Sequence, residues 1–194
     1  MSDSWNDYAD GWDTNPAVIE YSEKAFSSLT EAVDLKGLRV LDFGCGTGLL
    51  SEKLAQQAES VVALDPAEKM IEVLASKQIA NVETIASELN ESVVESNPLV
   101  SQPFDLIVAS SALAFVPDYQ GTVTLLQQLL SPQGLLVQWD WLLEEGTEGS
   151  GFSPQQVTAA YEQAGLAVDS AGEAFQMTAG EDSMPVLLAV GRNE

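Results

Sequence analysis

The chain contains no histidine and only one cysteine, Cys45. The first absence removes the usual ligand set of a zinc site and the commonest general base, and the second excludes an intramolecular disulfide. Basic residues are nearly as scarce: seven lysines and arginines face thirty acidic side chains, for a formal net charge of -23. Six of the seven lie between Lys24 and Lys77, and none follows until Arg192. Nucleic acids and anionic lipid surfaces are both bound through clusters of Lys and Arg, so neither a nucleic-acid nor a membrane partner is expected. No apolar run reaches the roughly 20 residues of a membrane span. The acidic stretch "SWNDYADGWD" lacks the basic, apolar and small-residue order of a signal peptide, so the expected location is cytoplasmic. Such an acidic surface keeps a protein soluble, as a salty cytoplasm would require.

What is present reads as one soluble globular domain: 194 residues, 45% hydrophobic and 19% charged. Asn15 and Pro16 open a helix in which Val18, Ile19, Phe26, Leu29 and Val33 recur at helical spacing. Leu38 to Phe43 reads as a buried strand, followed by a glycine turn and a helix bearing Leu49, Leu50 and Leu54. The pattern then repeats. "SVVALD", "NVETIA", "FDLIVAS" and "LLVQWDWLL" are strands, "AEKMIEVLASK" and "TVTLLQQLL" helices, and the capped helix "SPQQVTAAYEQAG" precedes strands near "LAVDS" and "MPVLLAVG". "NESVVESNPLVSQP" and residues 146–151 are expected to be loops. Near-continuous apolar strands separated by amphipathic helices predict a doubly wound α/β domain, its sheet mostly parallel and covered by helices on both faces.

In such a sheet ligands bind beyond the carboxyl ends of the strands. There "VLDFGCGTGLL" places Gly44, Gly46 and Gly48 at alternate positions, where missing side chains permit a tight turn and close ligand approach. The dinucleotide fingerprint would need its third glycine at position 49, which is Leu49, and the phosphate-binding loop would need a Gly-Lys pair that the chain lacks. Asp65 ends the second strand about twenty residues after Gly44, where a carboxylate can accept both hydroxyls of an unmodified ribose. The combination points to a nucleoside ligand without a pyrophosphate.

"VLDFGCGTG" closely resembles the first motif of the class I S-adenosylmethionine-dependent methyltransferases, and the order of elements from Leu38 to Gly191 is similar to theirs. The resemblance implies a seven-stranded, Rossmann-like methyltransferase domain over residues 1–194, with 1–35 as a helical lid and 36–194 as the cofactor-binding core. It implies S-adenosylmethionine as cofactor and S-adenosylhomocysteine as product. Asp42 and the backbone of Gly44, Cys45 and Gly46 would hold the methionine part, and Asp65 the ribose. Pro66 and Met70 would flank the adenine, whose edge would meet Ser87, Glu88 and Leu89. Ala109 and Ser110 would face the methionine amine and the transferable methyl. Met70 equally suits a core position, and Cys45 is expected to contribute only its backbone.

Methyl transfer from a sulfonium needs a base only when the acceptor must lose a proton, so the absence of histidine does not exclude it. By the same resemblance the acceptor would be held by the N-terminal segment and by loops after the fourth and fifth strands. Trp5, Tyr8 and Trp12 fall on one face of a short helix, and Phe115, Asp140 and Trp141 are the other candidate contacts. Ala114 stands where the family often carries His. Asp118 fits turn formation better than catalysis. The acidic field and the lack of cations after Lys77 favour a neutral or cationic small-molecule acceptor. A non-catalytic nucleoside-binding protein and a nicotinamide-dependent oxidoreductase are the alternative readings.

Overall fold

The structure is a computed structural model, described here for residues 5–147, 149–179 and 182–194. The first four residues of the expected lid therefore lie outside the described residues, as does Glu148 in the expected loop. Seven strands form one sheet in the order β3-β2-β1-β4-β5-β7-β6. In chain order they are β1 (Arg39–Phe43), β2 (Ser60–Asp65), β3 (Val82–Ala86), β4 (Phe104–Ser110), β5 (Leu130–Trp141), β6 (Leu166–Ala179) and β7 (Asp182–Asn193). The chain divides into two compact units, Met1–Gln102 and Pro103–Glu194.

In the first unit β1 and β3 each pair in parallel with β2, and the register sets Phe43 beside Leu64 and Asp65 beside Ala86. The carboxyl ends of the three strands are thus level. Among the described residues they are accompanied by the helices α1 (Ala9–Trp12), α2 (Pro16–Ala32), α3 (Leu49–Ala55), α4 (Glu68–Ser76) and α5 (Glu91–Ser96). Helix α2 starts where expected, because the Asn15 side chain accepts the Ala17 N–H and Pro16 occupies the first turn. Helix α4 turns Met70, Ile71 and Leu74 inward at helical spacing. The stretch expected to be a loop instead contains α5 and a short 3-10 turn, Pro98–Val100. Asn90 and Asn97 each cap the element that follows, accepting the N–H of Val93 and of Leu99 and so satisfying backbone donors at the two starts.

In the second unit β4 and β5 are parallel, whereas β7 runs antiparallel to both β5 and β6. The sheet is therefore mixed at this end. Helices α6 (Tyr119–Gln128) and α7 (Pro154–Gln163) belong to this unit. Ser153 and Gln156 close a full capping box at the start of α7. Residues Ser131 to Gly134, between the stretches read as a helix and as a strand, lie within β5, with Gln133 in the left-handed region. Among the described residues no helix is long and apolar enough to cross a membrane.

Candidate active site

Beyond β1 the chain makes the turn that its glycines dictate. Gly44, Gly46 and Gly48 have φ of 70°, 54° and 84°, the left-handed region that side chains disfavour. At Gly48 a Cβ would also overlap the Leu74 side chain of α4, so glycine is required there twice over. Gly44 and Cys45 both donate their N–H to the Leu64 carbonyl, at 2.8 and 3.1 Å, which stitches the turn to the end of β2. Asp65 completes the connection. Its Oδ2 accepts the Gly46 N–H at 2.9 Å and its Oδ1 the Ala67 N–H at 2.8 Å. Burial raises the Asp65 pKa, against the pull of those two backbone bonds. Each oxygen of a carboxylate has a second acceptor direction, so these bonds leave Asp65 capable of accepting ligand hydroxyls.

Asp42, one step back on β1, is buried and accepts the Ser51 hydroxyl at 2.6 Å. Burial pushes its carboxyl up to about 7; the Ser51 bond opposes this and the charge of Asp65 adds to it. Packing around the Cys45 thiol, together with the charges of Asp42 and Asp65, raises its pKa well above the ordinary value, which fits a thiol that is no nucleophile. Ser87 donates its N–H to the Asp65 carbonyl at 3.1 Å, so Ser87, half-buried Leu89 and exposed Glu88 follow directly on the level strand ends.

Residues 5–14 lie on this same part of the first unit. The rings of Trp5, Tyr8 and Trp12 stand 5.9 to 6.4 Å apart, tilted or edge to face, as the spacing predicts. Ala9 packs with Ala67 and Met70, and Trp5 and Trp12 cover that cluster. Met70 is thus buried against the N-terminal segment, while Pro66 beside it is half-buried. Trp12 Nε1 stands 3.6 Å from where a Cβ on Gly46 would be. Asp13 accepts the Thr47 hydroxyl and pairs with Lys77, which also pairs with Glu52. Sequence reasoning missed these four polar residues, since their positions along the chain carry no local pattern.

In the second unit, β4 ends in buried Ala109 and half-buried Ser110, and Ser111, at φ 54°, donates its N–H to the Trp139 carbonyl at 2.7 Å. Asp140 is buried and points inward. Its Oδ1 accepts the Ala114 N–H at 3.3 Å, and its Oδ2 accepts Gln138 Nε2 at 2.8 Å. Gln138 Oε1 in turn accepts the hydroxyls of Tyr119, at 2.9 Å, and Tyr161, at 3.4 Å. Burial pushes the Asp140 carboxyl up to about 7, against the Gln138 and Ala114 bonds, and raises both tyrosines. The missed partner Gln138 left a signal: polar residues at 138 and 140 share one face of the otherwise apolar run from Leu135 to Trp141. Phe115 is exposed on a 3-10 turn and Trp141 is half-buried, whereas Asp118 caps α6 by accepting the Gly121 N–H.

Residues 41–138 match the family model described as a methyltransferase domain. The ubiquinone biosynthesis O-methyltransferase of Rhizobium johnstonii is 32% identical over 127 residues, covering 63% of this chain and 50% of that protein. The chain spans about half the length of the curated relatives it matches. A SAM-dependent methyltransferase of Aquifex aeolicus has a similar fold, with a TM-score of 0.74, 21% identity and coverage of 100% of this chain and 99% of that one. The N-methyltransferase NodS of Bradyrhizobium japonicum, solved with S-adenosyl-L-homocysteine, covers 92% of this chain and 88% of its own at a TM-score of 0.69 and 20% identity. The family match extends over half of the sequence and contains the glycine turn, Asp65 and the carboxyl end of β4; the chain belongs to the methyltransferase-domain family.

Proposed function

We propose that the protein is a single methyltransferase domain that moves a methyl group from S-adenosylmethionine to a small-molecule acceptor. The observation that carries this reading is the joint between Asp65 and Gly46, which holds a buried carboxylate at the end of β2 against a left-handed glycine turn. Bound there, S-adenosylmethionine supplies a methyl already activated as a sulfonium. Asp65 accepts the ribose hydroxyls, and Asp42 with the backbone of Gly44 to Gly46 takes the methionine end. Pro66 and Met70 supply apolar contact for the adenine and residues 87–89 its edge, while Ala109 and Ser110 are assigned to the amine and methyl. Much of the rate then derives from holding the two reactants in line.

The acceptor is assigned to Trp5, Tyr8, Trp12, Phe115, Asp140 and Trp141, with residues 1–35 acting as the lid. A neutral or cationic acceptor suits the charge balance, and a neutral hydroxyl also suits relatives named as O-methyltransferases. The cytoplasm is the compartment where such a cofactor would be met. Calorimetry with S-adenosylmethionine and S-adenosylhomocysteine tests the reading first. Both are expected to bind and to raise the melting temperature by mass action. Asp65→Ala is expected to weaken binding by about 1 to 3 kcal/mol, the scale of a charge-assisted hydrogen bond. Label transfer to a panel of hydroxyl, amine and carboxylate acceptors then reads turnover; binding without transfer to any acceptor would favour a binding protein.

A further inference from the structure

The polar contacts of Asp13 have no place in the chemistry just described, yet they reach the centre of the glycine turn. Thr47, between Gly46 and Gly48, is fully buried and gives its hydroxyl to Asp13 Oδ1. Lys77, the C-cap of α4, lies 2.8 Å from Asp13 Oδ2 and also pairs with Glu52 in the first turn of α3. Burial lowers the Lys77 pKa, but the two carboxylates outweigh it and keep the ammonium charged. A second tether lies at the other end of the segment, where Asn6 Oδ1 accepts the Lys69 N–H at 2.9 Å. Between the tethers Trp12 covers Gly46 and Ala9 packs on Ala67 and Met70.

We propose that Asp13, Thr47, Lys77 and Glu52 form a latch that fastens residues 5–14 over the glycine turn and sets the rate at which cofactor enters and leaves. The inference rests on the functional reading above. Asp13 is a positioning residue in this scheme, acting through Thr47 and Trp12. The side chains of Lys77, Asp13 and Glu52 are 19, 32 and 39% exposed, so water and salt reach the ion pairs. Partly exposed pairs are individually weak, which suits a fastening that opens in each cycle better than a permanent tie. The tethers also differ in kind: the Asn6 bond is neutral and near the chain start, while the Asp13 bonds carry charge and sit at the turn itself. Opening is therefore expected at residues 12–14 and to depend on ionic strength.

The test follows S-adenosylhomocysteine by stopped-flow tryptophan fluorescence, Trp12 lying against the turn. In Lys77→Met and in Thr47→Val, association and dissociation rates are both expected to rise roughly three- to tenfold, the range set by one weak charged or polar contact. A shift in dissociation constant or melting temperature with unchanged association is what a merely structural role would produce, and would overturn the latch. Lys77→Arg keeps the charge and should restore rates near those of the parent. Raising salt from about 0.05 to about 0.5 M, which shortens the screening length severalfold, should speed exchange in the parent and not in Lys77→Met. Should Lys77→Met fail to fold, Thr47→Val carries the same comparison without changing charge. Parent protein that binds, with rates unaltered in every variant, overturns the latch alone; parent protein that binds neither S-adenosylmethionine nor S-adenosylhomocysteine overturns the functional reading and the latch with it.

Discussion

Asp42 and Asp140 are carboxyls that share an environment without sharing a role. Both are buried, both accept hydrogen bonds, and in both burial wins, holding the acid near a pKa of about 7. Because the folded values lie above the unfolded ones, the native state keeps protons that the unfolded chain has lost between about pH 4 and about pH 7. These two groups therefore make stability fall as pH rises through that window, by up to about 1.4 kcal/mol per pH unit for each. Asp140→Asn removes one such group while keeping an oxygen for the Ala114 N–H; the Gln138 amide must rotate to accept the new side-chain N–H, and the Tyr119 and Tyr161 hydroxyls then accept from its NH2 group. Urea unfolding at about pH 4.5, 6 and 7.5 is expected to show a shallower decline for the variant than for the parent. Parallel declines would mean that Asp140 is ionised in the fold throughout. Nothing in the sequence around Asp140 tells its hydrogen-bond network, which includes Tyr119 and Tyr161 arriving from α6 and α7 to occupy Gln138.

Among the elements, the turn between β1 and α3 is the most completely specified by its own residues. Three left-handed φ values demand glycine, and the sequence supplies glycine at all three. Two of the glycines in this unit separate backbone strain from packing. Gly37 has φ 77° with open space where a Cβ would stand, whereas Gly48 has φ 84° and Leu74 in that space. Gly37→Ala is expected to cost about 1 kcal/mol, and Gly48→Ala about 1 to 3 kcal/mol more, because the buried Leu74 side chain must be displaced as well. Equal losses in a denaturation comparison would show that Leu74 moves aside freely. The caps of α2 and α7 were equally legible: Asn15 and Ser153 each accept an N–H within three residues. Helix α5 escaped notice because it buries none of its residues and so lacks the apolar period on which the reading relied.

At the scale of the whole molecule, the charge of -23 opposes compaction through self-repulsion. Added salt is expected to raise the melting temperature by screening that repulsion, even as it loosens the Lys77 latch; opposite signs of salt effect on melting and on cofactor retention are the signature to measure. A melting temperature that falls with salt would assign net stability to the few ion pairs. The sequence by itself determined the strands and most helices, the glycine turn and the acid that ends β2. Each of these is encoded within a few residues by side-chain period, φ preference or capping chemistry, and needs no distant partner. Only the tertiary structure decided that β7 enters antiparallel between β5 and β6, that Asp140 turns inward, and that Asp13 meets Thr47 and Lys77. Those contacts join residues dozens of positions apart, and no local pattern announces them, because they exist only once the sheet has brought its strand ends and helices together.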